Sequence, residues 1–481
     1  MIAQDVHIKQ NLLARLDRLP ITRSVVLIVV LSMAVWVVEA FDIGIVGTVV
    51  LSLKGVLHLG PSQVGILAVA STAGIAVGLI PSGRLADIFG RRSVLIWGVV
   101  LFGIATLLGG IFLNFWVIVL FRFLGGIGEG AVFPLPYIIV SEVIAPKRRG
   151  TVISYQNAIL SIAYLLPSLV GGWALNTYAL NLAWRLPFII GGVISLLMLI
   201  PITVWLPESP RFLLSKNRTA DVEVFVEKLE REAGVPHDKH LVNEQTLRLL
   251  QSSETASGLS SVTWLLKPPY LRRTVVTGLA YMATYFLWYT NLTYTPVILR
   301  DEGFSAGAAV TLVGIVIAVG AGGGILGGYL SDRFGRKIIY GIYIAFCVLG
   351  AFLLAFHQSR PVLFLGLFII GWFGAGIFGV AKTYLAEQYP TGLRGFGTSM
   401  LELFGRTVPG VGFVYVVPLI LAGYGARTVW VIIAILTGLF FLPAALWGRE
   451  TSRQTIEESG AADDRSSALS SGAKQVRTEG A

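Results

Sequence analysis

The chain has 481 residues, is 55% hydrophobic and 13% charged, and carries a formal net charge of +10; its mean hydropathy is +0.75. So little polar surface cannot cover a soluble protein of this size, so most of the chain must face lipid or itself. The single cysteine, Cys347, excludes an intramolecular disulfide and, within an apolar run, reads as packing.

Residues 1–23 are polar and the apolar run after them is long enough to span, so this segment is a cytoplasmic tail rather than a cleavable signal. Twelve apolar runs follow, and a bilayer crossing takes about 20 residues. They lie at 24–52, 62–82, 94–113, 115–141, 151–176 and 186–206, then at 273–299, 307–330, 338–357, 361–388, 396–422 and 427–448. They form one bundle over 24–206 and a second over 273–448. The polar linker between them, 207–272, has a helical pattern around Val222 to Glu232 that predicts short amphipathic helices on the cytoplasmic face. Residues 449–481 are rich in Ser, Gly, Ala and charge and read as a disordered cytoplasmic tail.

With both termini inside, Lys54, Arg185, Arg300, Arg360 and Arg427 fall outside, and Arg122, Lys382 and Arg406 fall within spans. The other 29 of the 37 Lys and Arg are cytoplasmic, the positive-inside pattern. The positive charge is spread over loops and needs no nucleic acid to explain it.

One text occurs twice, 245 positions apart: Gly83-Arg84-Leu85-Ala86-Asp87-Ile88-Phe89-Gly90-Arg91-Arg92 and Gly328-Tyr329-Leu330-Ser331-Asp332-Arg333-Phe334-Gly335-Arg336-Lys337. The same offset carries Glu142 onto Glu387, Arg149 onto Arg394 and Gly150 onto Gly395. Each copy of the cluster lies between apolar runs, where a short charged turn joins two spans. The repeat resembles the signature loop of the major facilitator superfamily, whose two six-helix halves are related in this way. The resemblance implies an all-α membrane protein, with twelve transmembrane helices in two pseudo-symmetric six-helix bundles. It further implies a monomer, multi-pass in the plasma or bacterial inner membrane, that moves a small-molecule substrate by alternating access. It implies cytoplasmic charge networks of Asp87, Arg91, Glu142 and Arg149 with their copies Asp332, Arg336, Glu387 and Arg394, holding the halves together in the outward-facing state; a topology and insertion signal is a compatible second role.

Pro207-Glu208-Ser209-Pro210-Arg211-Phe212-Leu213, and Arg122 followed by Gly125, Gly126, Gly128 and Gly130, resemble sugar porters and their organic-ion relatives, as do Ser141-Glu142 and Arg148-Arg149-Gly150. Sugar porters carry paired glutamines and an Asn in helix 7 and a Trp five residues before the helix 10 Glu. Here helix 7 reads Tyr281-Met282-Ala283-Thr284-Tyr285-Phe286-Leu287-Trp288-Tyr289-Thr290-Asn291, and Lys382 stands five before Glu387. Arg15-Leu16-Asp17-Arg18-Leu19-Pro20, the acids Glu39 and Asp42, and Phe404-Gly405-Arg406 are similar to the niacin and aromatic-acid proton symporters. That match implies a monocarboxylate such as nicotinate or an aromatic acid, coupled to protons. A sugar or polyol proton symporter is the alternative within transport, and a non-transporting nutrient sensor the alternative outside it.

Ionisable residues inside spans carry the physical argument, because a charge near the bilayer centre costs at least about 2.5 to 3.5 kcal/mol. Asp42 and Arg122 match the acid and base of the family's proton-coupled members; a static ion pair between helices is the other reading. Glu39, three residues before Asp42 on a neighbouring part of the helical face, can share the proton. Lys382 and Arg406 place two cations in the second half, which favours an anion if both reach the central cavity; Glu402, four residues before Arg406, can instead neutralise it. Tyr285, Trp288 and Tyr289, with Tyr281, can stack on a planar ring or merely pack. Gln156 and Asn157 can hydrogen-bond a ligand, Asn157 matching the family's polar substrate position.

No phosphate-cradling Walker sequence is present, and Gly126-Ile127-Gly128-Glu129-Gly130 sits inside a span, where close helix packing explains it better than a nucleotide. The histidines His7, His58, His237, His240 and His357 form no recognisable metal or catalytic grouping. No enzyme, catalytic residue, metal or cofactor is expected; the partners are a small-molecule substrate, protons and the lipid bilayer.

Overall fold

The computed structural model describes residues 2–236, 270–389 and 391–451; for 2–7, 146–151, 153–154 and 391–396 the backbone alone is described. The rest of the linker, 237–269, and the tail from 452, expected to be disordered, lie outside the described residues. Every described regular element is helical.

Among the described residues, ten helical spans have the length and apolarity of a bilayer crossing. In the first half they are α1 (Arg23–Val56), α2 (Pro61–Phe89), α3 (Arg91–Gly109), α4 (Phe115–Val143), α5 (Tyr155–Thr177) and α6 (Leu180–Trp205). The second half begins with α7 (Tyr270–Asp301), whose 32 residues suffice to cross but which is too polar to meet that hydropathy. Then come α8 (Ala306–Phe334), α9 (Arg336–Phe356) and α10 (Arg360–Glu387). The last stretch, Gly397–Trp447, runs 51 residues, about 75 Å of helix against a hydrocarbon core of about 30 Å. It divides at Gly425, whose φ of 77° and ψ of 175° are non-helical, into α11 (397–424) and α12 (426–447). Among the described residues this gives twelve stretches long enough to cross, six on each side of the linker, consistent with the expected twelve.

Local chemistry starts and stops these helices where the sequence supplies caps. Thr22 accepts from the backbone N–H of Val25 at the start of α1, Asn114 from Trp116 and Val117 at the start of α4, and Ser305 from Ala308 at the start of α8. The turns in the repeated text use Gly90 and Gly335, with φ of 98° and 119°, which side chains with a Cβ rarely adopt.

Within each half, glycines let helix backbones touch. A Cβ on Gly126 in α4 would lie 2.1 Å from the Ser71 carbonyl oxygen of α2, and one on Gly78 would lie 2.1 Å from that of Ile127. The second half repeats the device between α8 and α10, where a Cβ on Gly323 would meet the Trp372 carbonyl oxygen at 1.9 Å. Apolar burial gives helices no advantage over lipid inside a membrane, so such close approach is what holds them. The halves meet toward the end of the bundle away from the Gly90 and Gly335 turns. There Ser62 hydrogen-bonds Tyr415 at 2.9 Å, and Gly47 packs under the Leu292 carbonyl.

α7 stands at the centre, and several of its buried hydroxyl groups find partners inside the bundle, as a lipid surround requires. Thr284 hydrogen-bonds Tyr340 at 2.8 Å, Tyr294 donates to the Val414 carbonyl at 2.9 Å, and Thr295 donates to Asn291 at 3.0 Å.

The segment expected as an N-terminal tail contains a helix, Ile2–Asp17, that packs on a linker helix, Thr219–Ala233, which falls where the amphipathic pattern placed one. Leu12 and Leu16 are buried, and Arg15 donates to both Glu230 oxygens at 3.0 and 2.7 Å. Those hydrogen bonds, with the attraction of Glu230, hold the Arg15 pKa above its usual value.

Gly126→Ala drives a methyl into fixed backbone and should destabilise the purified protein by about 1 to 3 kcal/mol, read as a lowered melting temperature. Gly83→Ala, with nothing within 4 Å of the new Cβ, should leave the melting temperature within error.

Candidate functional site

Two buried clusters lie in the middle of the bundle. In the first, Arg122 Nη1 of α4 is 2.9 Å from Asp42 Oδ2 of α1 and 3.3 Å from the Asp42 carbonyl oxygen. Thr106 of α3 donates its hydroxyl to the other Asp42 oxygen. The two side chains are 1% and 3% exposed, so the pair is shielded from solvent. Glu129, two turns beyond Arg122, is fully buried; one oxygen accepts from Ser71 at 3.1 Å and the other has no hydrogen-bond partner. A small void touches Arg122 and Ser71 on one side and Tyr289 of α7 on the other.

The second cluster surrounds a cavity between the halves. Its first-half wall includes Ile43, Phe133, Asn157, Ser161 and Tyr164, and its second-half wall Tyr285, Trp288, Tyr289, Phe378, Lys382 and Arg406. Lys382 donates to the Tyr137 hydroxyl and, at 3.2 Å, to Asn157 Oδ1, so this cation bridges the halves. The Trp36, Phe133 and Tyr137 rings surround its ammonium at 5.8, 5.5 and 4.6 Å. The Arg406 guanidinium lies 4.0 Å from the Phe133 ring centre and donates to the Tyr289 hydroxyl at 3.3 Å. Glu402 is 3.5 Å from Arg406 Nε and accepts from Tyr281 and Tyr285 at 2.5 and 2.7 Å. Tyr285 and Tyr289 stack 5.3 Å apart at 21°, and Trp288 meets Phe378 edge-on. π-helical turns at Ile370–Ala375 and Val408–Phe413 interrupt α10 and α11 near Lys382 and Arg406, a local register shift of the kind frequent at functional sites.

Most of the expected substrate residues therefore come together. Glu402 sits just behind the wall as the partner of Arg406, as its spacing anticipated. Gln156 departs from expectation: its amide is buried, does not line the cavity and has no hydrogen-bond partner. One residue turns a helix by about 100°, and only Asn157 lies on the facing side. Glu39 is buried, and neither of its oxygens has a hydrogen-bond partner, so it is separate from the Asp42–Arg122 pair.

In the repeated turns, Arg91 contacts Asp87 at 2.9 Å and Glu142 at 3.5 Å; Arg336 contacts Asp332, and Glu387 at 3.2 Å. Among the described residues these contacts lie within each half, the arginine reaching back one turn and sideways to a helix of the same bundle; the expectation that such networks hold the halves together concerned the outward-facing state. The side chains of Arg149 and Arg394 lie outside the described residues. Each network has a member the repeat did not reveal: Glu208 accepts from the backbone N–H of Arg91 at 2.9 Å, and Glu450 from that of Arg336 at 2.7 Å. Both carboxylates cap the positive end of a helix dipole.

Comparison with known proteins agrees with this architecture. The family model for the Major Facilitator Superfamily matches residues 31–336 and 277–480. The chain belongs to the Major Facilitator Superfamily. The niacin transporter NiaP of Acinetobacter baylyi is 27% identical over 453 residues, 94% of this chain and 100% of its own. The 4-hydroxybenzoate transporter PcaK of the same organism is 27% identical over 418 residues, 84% of this chain and 88% of its own. In fold, the chain matches the inward open xylose transporter XylE of E. coli with a TM-score of 0.71 at 20% identity, covering 90% of this chain and 99% of that one. This member of the Major Facilitator Superfamily is a multi-pass membrane transporter and not an enzyme.

Sequence reading missed Glu129, Tyr137, Phe133 and Trp36. Glu129 carried the right signal, an acid inside a span, but its glycine-rich surroundings drew attention to packing. The aromatics had none individually, although Phe133 and Tyr137 lie 245 positions before Phe378 and Lys382.

Removing one member of a buried ion pair costs about 3 to 5 kcal/mol. Arg122→Leu should therefore lower the melting temperature sharply, and the double change Asp42→Asn with Arg122→Leu should recover part of the loss.

Proposed function

We propose that the chain is a proton-coupled symporter of a planar aromatic monocarboxylate such as nicotinate or a benzoate. The observation that carries this reading is a pair of cations, Lys382 and Arg406, on an aromatic-lined cavity between the halves. Arg406 offers a planar fork and Lys382 a point charge for a carboxylate. Tyr285, Tyr289, Trp288 and Phe378 supply faces and edges for a flat ring. The niacin and 4-hydroxybenzoate transporters among the relatives point to the same substrate class.

The mechanism follows from what each side chain would exchange. A carboxylate that engages Lys382 draws it away from Tyr137 and Asn157, and so weakens a tie between the halves. Protonation of Asp42 cancels its charge and releases Arg122 from the pair, altering the grip of α1 on α4. Substrate and proton thereby bias the same equilibrium between two arrangements of the halves, each by its differential affinity for them. Both termini are cytoplasmic in this reading, and the turn networks keep each half rigid while the halves move.

Lys382→Ala should weaken nicotinate binding by about tenfold to a hundredfold, the value of a charged hydrogen bond, while affecting nicotinamide much less. Calorimetric titration of the purified protein measures both; a wild type that binds hexoses and no monocarboxylate would overturn the reading. Asp42→Asn should abolish accumulation driven by a proton gradient in proteoliposomes while leaving exchange of bound substrate. Uphill transport with an unchanged pH dependence would remove Asp42 from coupling.

A further inference from the structure

Arg406 already has a carboxylate partner. Glu402 lies 3.5 Å from its Nε and is 16% exposed, against 6% for Arg406. The Tyr281 and Tyr285 hydroxyls both donate to Glu402. A tyrosine hydroxyl can donate to a carboxylate or turn and accept from a carboxyl O–H, so this pocket fits Glu402 with or without a proton. The charged and titratable groups around it are Tyr281, Tyr285 and Tyr289 of α7, Lys382 of α10, Glu39 of α1, Tyr137 of α4 and Arg406 of its own helix. α2, also packed on α11, has no titratable side chain before Arg84. Of the acids Glu39 and Glu402, Glu402 is the one within ion-pair distance of a cavity cation, Arg406. A substrate carboxylate that takes Arg406 leaves the buried Glu402 charge without that partner, which a single proton corrects.

We infer that Glu402 is a second proton site, at which a proton and the substrate carboxylate exchange places on Arg406. With Glu402 ionised, Arg406 is engaged and the cavity holds an anion weakly. When Glu402 takes a proton from water, its grip on Arg406 falls away, and the guanidinium, still fixed by Phe133 and Tyr289, receives the substrate. Glu402 is preferred to Glu39 because it contacts the cation in question, whereas Glu39 hydrogen-bonds to neither cation. This inference rests on the monocarboxylate reading above and adds to it a site in the second half, apart from Asp42 and Arg122.

The test is the pH profile of benzoate binding to purified full-length protein between pH 5.5 and 8, where benzoate itself stays ionised. Wild-type affinity should fall about tenfold or more as pH rises. In Glu402→Gln, which imitates the protonated acid, affinity at pH 8 should match the wild type at pH 5.5 and the profile should be flat. Should that variant not fold, Tyr281→Phe with Tyr285→Phe keeps the carboxylate but removes two donors to its charged form, and the binding midpoint should move to higher pH. A wild-type slope that persists in Glu402→Gln, a midpoint unmoved in the double variant, or a slope lost in Glu39→Gln instead would overturn the inference and leave the substrate class standing. A wild type that binds no monocarboxylate at either pH would overturn both.

Discussion

Charge held inside a low-dielectric bundle is the constraint on which the rest of this structure depends. Each ionised group near the bilayer centre costs at least about 2.5 to 3.5 kcal/mol, so Asp42 is set against Arg122 and Glu402 against Arg406. Apolar side chains cannot choose between a neighbouring helix and lipid. The helices that carry charge, α1, α4, α10 and α11, and α7, whose tyrosines donate to Glu402, are therefore placed by polar pairing, and the cavity lies where they converge. The glycine contacts of α2 with α4 and of α8 with α10 serve this arrangement by bringing whole backbones close around it.

The turns of the repeated text solve a related problem by other means. A helix that begins at a tight glycine turn leaves N–H groups without partners, and Glu208 and Glu450 accept from the first ones of α3 and α9. The same turns send Arg91 and Arg336 back to Asp87 and Asp332. Two carboxylates and an arginine thus fix how each half leaves the membrane and returns to it, and the linker helices extend that framework through Arg15 and Glu230.

Much of this was legible in the sequence because long range order here is written locally. Apolar runs of the right length located the crossings, and the 245-residue repeat located the turns. The rarity of charge in spans singled out Asp42, Arg122, Lys382 and Arg406. What stayed hidden depends on rotation and on neighbours. Gln156 and Asn157 are adjacent in sequence yet only one faces the cavity. Glu450 lies outside the repeat spacing that relates Glu387 to Glu142, so no pattern connected it with Arg336. Ile2–Asp17 has a short, weakly amphipathic sequence that becomes informative only once the Thr219–Ala233 helix is in place. Hydropathy alone also understates α7, whose many hydroxyl groups face protein rather than lipid.

The duplication has left the cavity with unequal walls. Phe133 and Phe378 occupy matching positions in α4 and α10, but the next matching pair is Tyr137 and Lys382. Both cations of the cavity, Lys382 and Arg406, project from the second half, while the first-half wall is aromatic, aliphatic and neutral. A molecule with one acidic end and one flat end accordingly has a single way round between them. In the aromatic-acid reading its acid end and most of the faces for its ring belong to the second half, so when the halves part, the ligand stays with the second half and is uncovered from the side of the first.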